Sequence, residues 1–245
     1  MRWLAVDETS VPAGSAWLSD REREVSERQR LTKRRQEWLL RRYAMKRAAA
    51  VALGRGAAIG GLEALNDPSG APYILLDGCP VPIAVSVSDR AGLAVALVTS
   101  ERHGAAGSIG IDVELVESRS DGFIRDFLTA PEQLWTLRTT LGRDVAANLL
   151  WSAKEAALKV LRVGLRADTR TVDVTVRGET PADGWRPLSV AGAGGVVLPG
   201  WWRRDGDFLI TVVTRDAADP PTRMPGGVDP AHVTAAHSWL DNPLA

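Results

Sequence analysis

The chain is short of the residues that build covalent cross-links and soft-metal sites. One cysteine, Cys79, excludes an intrachain disulfide and a thiolate zinc site, and three scattered histidines argue against a histidine-rich metal centre. Metal chemistry, if the chain does any, has to use oxygen ligands and a hard cation. Net charge is also missing: 30 basic and 30 acidic side chains cancel. There is thus no whole-molecule attraction to nucleic acid or to an anionic membrane surface, and neither is expected as a partner. The longest uncharged run, 187–202, falls short of the roughly 18 apolar residues of a membrane span and is broken by glycine and proline. The opening residues Met-Arg-Trp-Leu-Ala-Val-Asp-Glu lack the basic start, apolar stretch and cleavage site of a secretion signal, so a soluble cytoplasmic protein is expected; a monomer is expected as well.

What is present is ordinary globular composition, 45% hydrophobic over 245 residues, which rules out a disordered or collagen-like chain. Residues 19–50 read as helix, split in two, with Ser19 as N-cap and Glu22 completing a capping box. Eleven basic side chains there face five acidic ones, a local excess of six in a neutral protein. The turn-rich 66–72 leads into strands at 81–88, 93–99 and 108–116, read as an antiparallel meander. Helical pattern returns at 125–140 and 145–162, and strands resume at 171–176, 188–197 and 208–214. The order is that of an α+β protein with two halves of similar size, 1–115 and 116–215, without a visible sequence repeat. Residues 216–245 read as a flexible tail ending in a short helix at 231–240.

Three segments carry chemistry. In the strand Ile109-Gly-Ile-Asp-Val-Glu-Leu, alternation puts Gly110, Asp112 and Glu114 on one face. Two carboxylates side by side suit a hard cation, and equally a merely solvated edge. Gly110 would let a ligand approach the backbone. In the helix Trp151-Ser-Ala-Lys-Glu-Ala-Ala-Leu-Lys, Glu155 lies near the apolar stripe of Leu150, Trp151, Leu158 and Leu161 and needs a partner. Lys159, one turn on, is placed for an i,i+4 ion pair worth about 0.3–0.5 kcal/mol. The third segment, Ser86-Val-Ser88-Asp89, runs from strand into turn, and its hydroxyls and N–H groups could hold a phosphate or simply shape the turn.

In this order and spacing the segments resemble the 4'-phosphopantetheinyl transferases of the Sfp type, whose members show a Ser-x-Ser-His turn, an Ile-Gly-Ile-Asp-x-Glu strand and a Trp-Ser-x-Lys-Glu-x-x-x-Lys helix. The basic helix 33–42, Gly70-Ala71-Pro72 and Asp77-Gly78 add to a likeness that spans about 17–215. The resemblance implies a pseudo-twofold fold with the active site between its halves. It also implies Mg2+-dependent transfer of 4'-phosphopantetheine from coenzyme A to a serine of an acyl or peptidyl carrier protein, releasing adenosine 3',5'-bisphosphate. By that likeness Asp112, Glu114 and Glu155 match the metal-binding carboxylates, Glu155 also the base, and Lys159 the cation beside the phosphate. Ser88 and Asp89 fall where the family binds the coenzyme. Arg34, Arg35 and Arg42 are candidate phosphate contacts, or members of a solvated face.

Two departures stand out. Asp89 replaces the family histidine that contacts the 3'-phosphate, and Ala71 stands where many relatives carry a basic residue. Two like charges 4 Å apart repel by about 4 kcal/mol at an effective dielectric of 20, so Arg90 is expected to pair with Asp89 or take over its role. These departures keep open a degenerate homologue that binds a carrier protein or coenzyme A analogue without turnover.

Overall fold

The computed structural model describes residues 1–100, 109–163, 167–177 and 184–236. The chain divides into two compact units, Met1–Ala106 with Pro221–Ala245, and Gly107–Pro220.

The first unit opens on β1 (Arg2–Asp7), followed by α1 (Asp20–Arg28) and α2 (Thr32–Ala52). The Ser19 capping box forms: Glu22 N–H donates to the Ser19 hydroxyl and Ser19 N–H to the Glu22 carboxylate. Then come β2 (Leu62–Asn66), β3 (Pro72–Leu76), β4 (Cys79–Pro80), β5 (Ile83–Arg90) and β6 (Leu93–Ser100). Helix α2 lays Leu40, Ala44, Ala48 and Ala49 on Leu4, Val85, Ala94 and Ala96, and the small alanines let helix and sheet approach closely.

The second unit holds β7 (Ile109–Leu115), α3 (Asp121–Phe127), α4 (Ala130–Arg138), α5 (Arg143–Leu161), β8 (Asp173–Val176), β9 (Arg186–Ala191), β10 (Val197–Asp205) and β11 (Phe208–Thr214). Its five strands form one antiparallel sheet in the order β7-β11-β10-β9-β8. Helix α5 packs Leu149, Leu150, Ala153, Ala157 and Val160 on Leu188, Val190, Leu198 and Leu209.

The first unit has a four-stranded sheet, β12-β1-β6-β5, where β12 is Thr222–Arg223, and a separate three-stranded sheet, β2-β3-β4, whereas the second has one continuous sheet, β7-β11-β10-β9-β8. The two long helices share one local device that the sequence hides. Each long helix carries a fully buried lysine. Lys46 of α2 pairs with Glu22 at 2.7 Å, and Lys154 of α5 with Glu132 at 2.9 Å. Both glutamates stand third in a capping box, Ser19 to Glu22 and Thr129 to Glu132. Each also accepts a backbone N–H from the strand region that follows its long helix, Ala64 at 2.9 Å and Val174 at 2.8 Å. A buried charge is tolerated only when paired and hydrogen-bonded, and both clamps meet that condition.

Several expectations need correction. Strand β7 pairs with β11 and belongs to the second unit, so 81–116 is no meander and the division falls near 107 instead of 115. The strand expected at 188–197 is two, because Gly194 and Gly195, with φ of 74° and 78°, take conformations that L side chains avoid and turn the chain. Residues 221–236 are no free tail. Strand β12 (Thr222–Arg223) runs parallel to β1, Met224 is buried, and Val228 N–H donates to Ala5. Of the helix expected at 231–240, a single 3-10 turn forms at Pro230–His232, and residues from 237 on lie outside the described residues.

Candidate functional site

The carboxylates expected to act together lie in the second unit, where α5 crosses β7. Asp112 and Glu114 share a face of β7 with Gly110, as alternation requires, and that face is covered by α5 instead of solvent. A Cβ on Gly110 would overlap the carbonyl oxygen of Ala156, so the glycine admits the helix backbone and not a ligand. Asp112 is 4% exposed and Glu114 8%.

On α5, Trp151, Glu155 and Lys159 follow one another at four-residue spacing and form its half-buried face. The two ends of this row meet the two strand carboxylates. Lys159 Nζ donates to Asp112 Oδ1 at 2.9 Å and to the Ile111 carbonyl at 2.7 Å. Trp151 Nε1 donates to Glu114 Oε1 at 2.8 Å. Its indole is wedged edge-on against Phe123 and Phe127, which fixes the ring. Glu155 stands between these anchors. Its i,i+4 pair with Lys159 is not made, because the lysine turns to the strand, and Glu155 Oε1 is buried without a hydrogen-bond partner. Burial, helped by Asp112 and Glu114 and opposed by Lys159, raises the Glu155 carboxyl from 4.5 to about 7.

Glu114 is tied further. Arg119, in the loop after β7, donates from Nη2 to Glu114 Oε2 at 3.0 Å and from Nε to Asn148 Oδ1 at 2.7 Å. The three carboxylates expected from the resemblance therefore do not converge as ligands: among the described residues, no group of three acidic, histidine or cysteine side chains is arranged to hold a metal ion. A hard cation nevertheless fits part of the set. Glu155 has an unsatisfied buried oxygen and a charge opposed by two neighbours, and Asp112 already meets a cation, the Lys159 ammonium, at its Oδ1. Mg2+ is commonly held by one or two carboxylates plus phosphate oxygens. Asp112 and Glu155 meet that requirement.

Residues 108–183 match the family model of the 4'-phosphopantetheinyl transferase superfamily. The matched segment holds Asp112, Glu114, Trp151, Glu155 and Lys159, the whole of the cluster. No curated protein matches the chain. No helix among the described residues is long and apolar enough to cross a membrane.

The remaining candidates lie in the first unit. Arg34 and Arg35 are exposed on the first turn of α2. Arg42 is buried, stacked 4.8 Å over Trp38 and bonded through Nη2 to Asn66 Oδ1. Desolvation lowers its pKa to about 10, so it remains a cation at neutral pH. Ser88 and Asp89 lie in the turn-ward part of β5, paired with Val95 and Ala94 of β6, and Arg90 ends the strand. Asp89 forms an ion pair with Arg41 of α2, a partner the sequence reading did not single out. Arg119 and Asn148 were missed as well. Their only trace was an arginine five residues after the Asp-x-Glu pair and a polar residue on the packed side of a helix.

Proposed function

We propose that this chain is an Sfp-type 4'-phosphopantetheinyl transferase that modifies a serine of an acyl or peptidyl carrier protein with the phosphopantetheine of coenzyme A. The observation that carries the reading is Glu155, held near neutral pKa between two strand carboxylates inside the segment that matches the superfamily. A base of that pKa is half ionised at neutral pH and suited to accept a hydroxyl proton.

In the proposed step the serine oxygen forms a bond to the β-phosphorus of coenzyme A. The bond from that phosphorus to the bridging oxygen breaks, adenosine 3',5'-bisphosphate leaves, and the serine proton passes to Glu155 Oε1. Asp112 and Glu155 would hold Mg2+, which when bound supplies charge neutralisation on the pyrophosphate. Lys159 offers a second positive charge beside Asp112, and Trp151 fixes the face of α5 from which Glu155 projects. For coenzyme A itself, Arg34, Arg35 and Ser88 are assigned as phosphate contacts. Arg42 holds the turn after β2 through Asn66 and reaches phosphate only through its two remaining buried nitrogens, Nε and Nη1.

A second reading, binding without turnover, is favoured by Asp89, an anion where the family carries histidine. The pair with Arg41 offsets that charge and keeps the transferase ahead. Intact-mass spectrometry of a carrier protein incubated with the chain, coenzyme A and Mg2+ tests the proposal. A gain of one phosphopantetheine is expected, and an unchanged mass across acyl and peptidyl carriers overturns it.

A further inference from the structure

Resting on the transferase reading, we infer that the strap following β12 is a positioning element for coenzyme A: Ala236, seated on Gly92, holds the β5–β6 turn and through it the Asp89–Arg41 pair. The turn is tight. Arg90 pairs with Leu93, so Ala91 and Gly92 make the whole connection, with φ of 49° and 82°. Those values belong to the two-residue hairpin turns whose twist matches the flanking strands. Main chain grips the turn from two sides. Glu8 N–H, just after β1, donates to the Gly92 carbonyl at 3.0 Å, and Ala236 N–H donates to the Ala91 carbonyl at 3.0 Å. The second contact needs glycine, since a Cβ on Gly92 would stand 2.8 Å from the Ala236 carbonyl oxygen.

The strap reaches that point in two parts. As far as Val228 it lies along β1, with Met224 N–H on the Trp3 carbonyl at 2.8 Å and Val228 N–H on the Ala5 carbonyl at 2.9 Å. Beyond Val228 it arches. The His232 and Val233 N–H groups bond back to Asp229 and Pro230, within the strap itself. Val233, Thr234 and Ala236 form one wall of a cavity of about 680 Å3, and Val11, Gln36 and Leu40 line it from β1 and α2 outward. Among the described residues, the backbone hydrogen bond that ties this arch to the rest of the unit is the one from Ala236 to Ala91. A segment over a cavity has little packing to hold it, so that bond and the Gly92 contact set where its end lies.

The restraint reaches the charge pair that the proposed function places beside the coenzyme. Asp89 stands two residues before Ala91 and pairs with Arg41, which follows the cavity-lining Leu40 on α2. The Asp89 side chain is only 10% exposed, so the hairpin cannot shift without carrying its carboxylate away from Arg41. Released from Ala236, the turn keeps its bond to Glu8 and both its strands, and the chain stays folded. What loosens is the placement of Asp89 against Arg41, and with it the offset of an anion that would otherwise repel the 3'-phosphate.

Three variants of the full chain separate the strap from the fold. Ala236→Pro removes the N–H that holds Ala91, Gly92→Asn tolerates the positive φ but sets a Cβ against the Ala236 carbonyl, and Ala236→Ser keeps the N–H. Calorimetric titration with coenzyme A and with dephospho-coenzyme A reads affinity, and amide hydrogen exchange over 88–93 reads the turn. Ala236→Pro and Gly92→Asn are each expected to weaken coenzyme A by about fivefold, the worth of one ordinary hydrogen bond, and dephospho-coenzyme A by less than about twofold. Exchange over 88–93 is expected to quicken about tenfold in both. Ala236→Ser is expected to match the wild type. In an Arg41→Ala background, Ala236→Pro is expected to add less than about twofold, because the pair through which the strap acts is already gone.

A folded Ala236→Pro with wild-type exchange or wild-type coenzyme A affinity overturns the inference. Equal losses for the two donors, or the full loss repeated in the Arg41→Ala background, overturn it as well. If Ala236→Pro fails to fold, Gly92→Asn decides by the same thresholds, and failure of both makes the strap a structural element only and overturns its positioning role. Wild-type protein that binds no coenzyme A removes this inference together with the transferase reading. Affinities in the expected order without any modified carrier would sink the transferase reading alone and leave the role of the strap standing.

Discussion

Lys159 reaches from α5 to Asp112 on β7, 2.9 Å away, and passes over Glu155, the carboxylate one turn before it on its own helix. An ion pair written into the helix by spacing is given up for one across the helix–strand contact. The charge that the helix leaves uncompensated is the one with an unsatisfied oxygen and a pKa near neutrality.

The first prediction concerns the sign of a stability change. The Glu155 carboxyl titrates at about 7 in the folded chain against an ordinary value of 4.5. Below 4.5 it is neutral in both states. Between 4.5 and 7 folding takes up a proton, so its contribution to stability falls as pH rises, and above 7 the whole penalty of burying the charge is felt. Glu155→Gln carries no such penalty. It should match the wild type near pH 4.5 and exceed it at pH 8.5 by about 1–3 kcal/mol, after allowance for partial exposure. Urea denaturation at both pH values, in EDTA, checks this, and a less stable Gln variant at pH 8.5 would restore the i,i+4 pair as the role of Glu155.

The same substitution should lower carrier modification by about 10²–10⁴-fold, the usual worth of a positioned base, with coenzyme A affinity little changed. Single-turnover rates beside equilibrium binding of coenzyme A separate the two quantities. Equal loss in both would make Glu155 a binding group only.

Asp112→Asn removes the partner of Lys159 as well as a proposed metal ligand. Because Lys159 is 29% exposed and can turn to water, the stability cost should stay at about 1–2 kcal/mol while transfer all but disappears. Wild-type turnover in excess EDTA, with no metal added, would remove the metal from the account.

The buried clamps should behave as pairs. Lys154→Met alone leaves Glu132 charged and enclosed, and a loss of about 3–5 kcal/mol is expected. Adding Glu132→Gln, which removes the stranded charge and keeps one oxygen for either the Thr129 or the Val174 N–H, should recover part of that loss. A double variant no better than Lys154→Met in calorimetric unfolding would show that the charge of Glu132 was not the cost.

For coenzyme A recognition, Arg41→Ala removes a counter-charge of Asp89 and should raise the KM for coenzyme A by about tenfold, equivalent to about 1.4 kcal/mol. Dephospho-coenzyme A, lacking the 3'-phosphate, should be nearly unaffected. Equal rises for both donors would mean that the pair shapes the β5 turn and does not read the 3'-phosphate.

Much of this was legible in the sequence, for identifiable reasons. The Ser19 to Glu22 box and the strand Phe208–Thr214 are local signals, and local physics decides them. The equivalent box at Thr129 and Glu132 was overlooked because 125–140 reads as one helix, whereas Leu128 and Thr129 take extended backbone and divide it into α3 and α4. Strand β1 carries no alternation because it lies inside a sheet, between β12 and β6, with Trp3, Leu4, Ala5 and Val6 all buried. Lys46 counted as one more surface cation in a basic segment. Its burial depends on Glu22, 24 residues away in sequence, and no periodicity encodes that. The site was legible by type, Asp112, Glu114, Glu155 and Lys159, but its wiring was not, since a pairing across the helix–strand contact overrides the spacing along either element.

Gly110 gives the cluster a property separate from its chemistry. Where β7 and α5 meet, main chain rests against main chain at the Ala156 carbonyl, so the spacing of the carboxylate-bearing strand from the helix is set by backbone atoms that no substitution elsewhere can resize. The surrounding aliphatic packing can drift in evolution, Val160 or Leu158 trading methyl groups with their neighbours, and alter the melting temperature without moving the charged groups of the cluster. Gly110→Ala is the exception: one added methyl group opens that contact and shifts the register of every acidic and basic group along it.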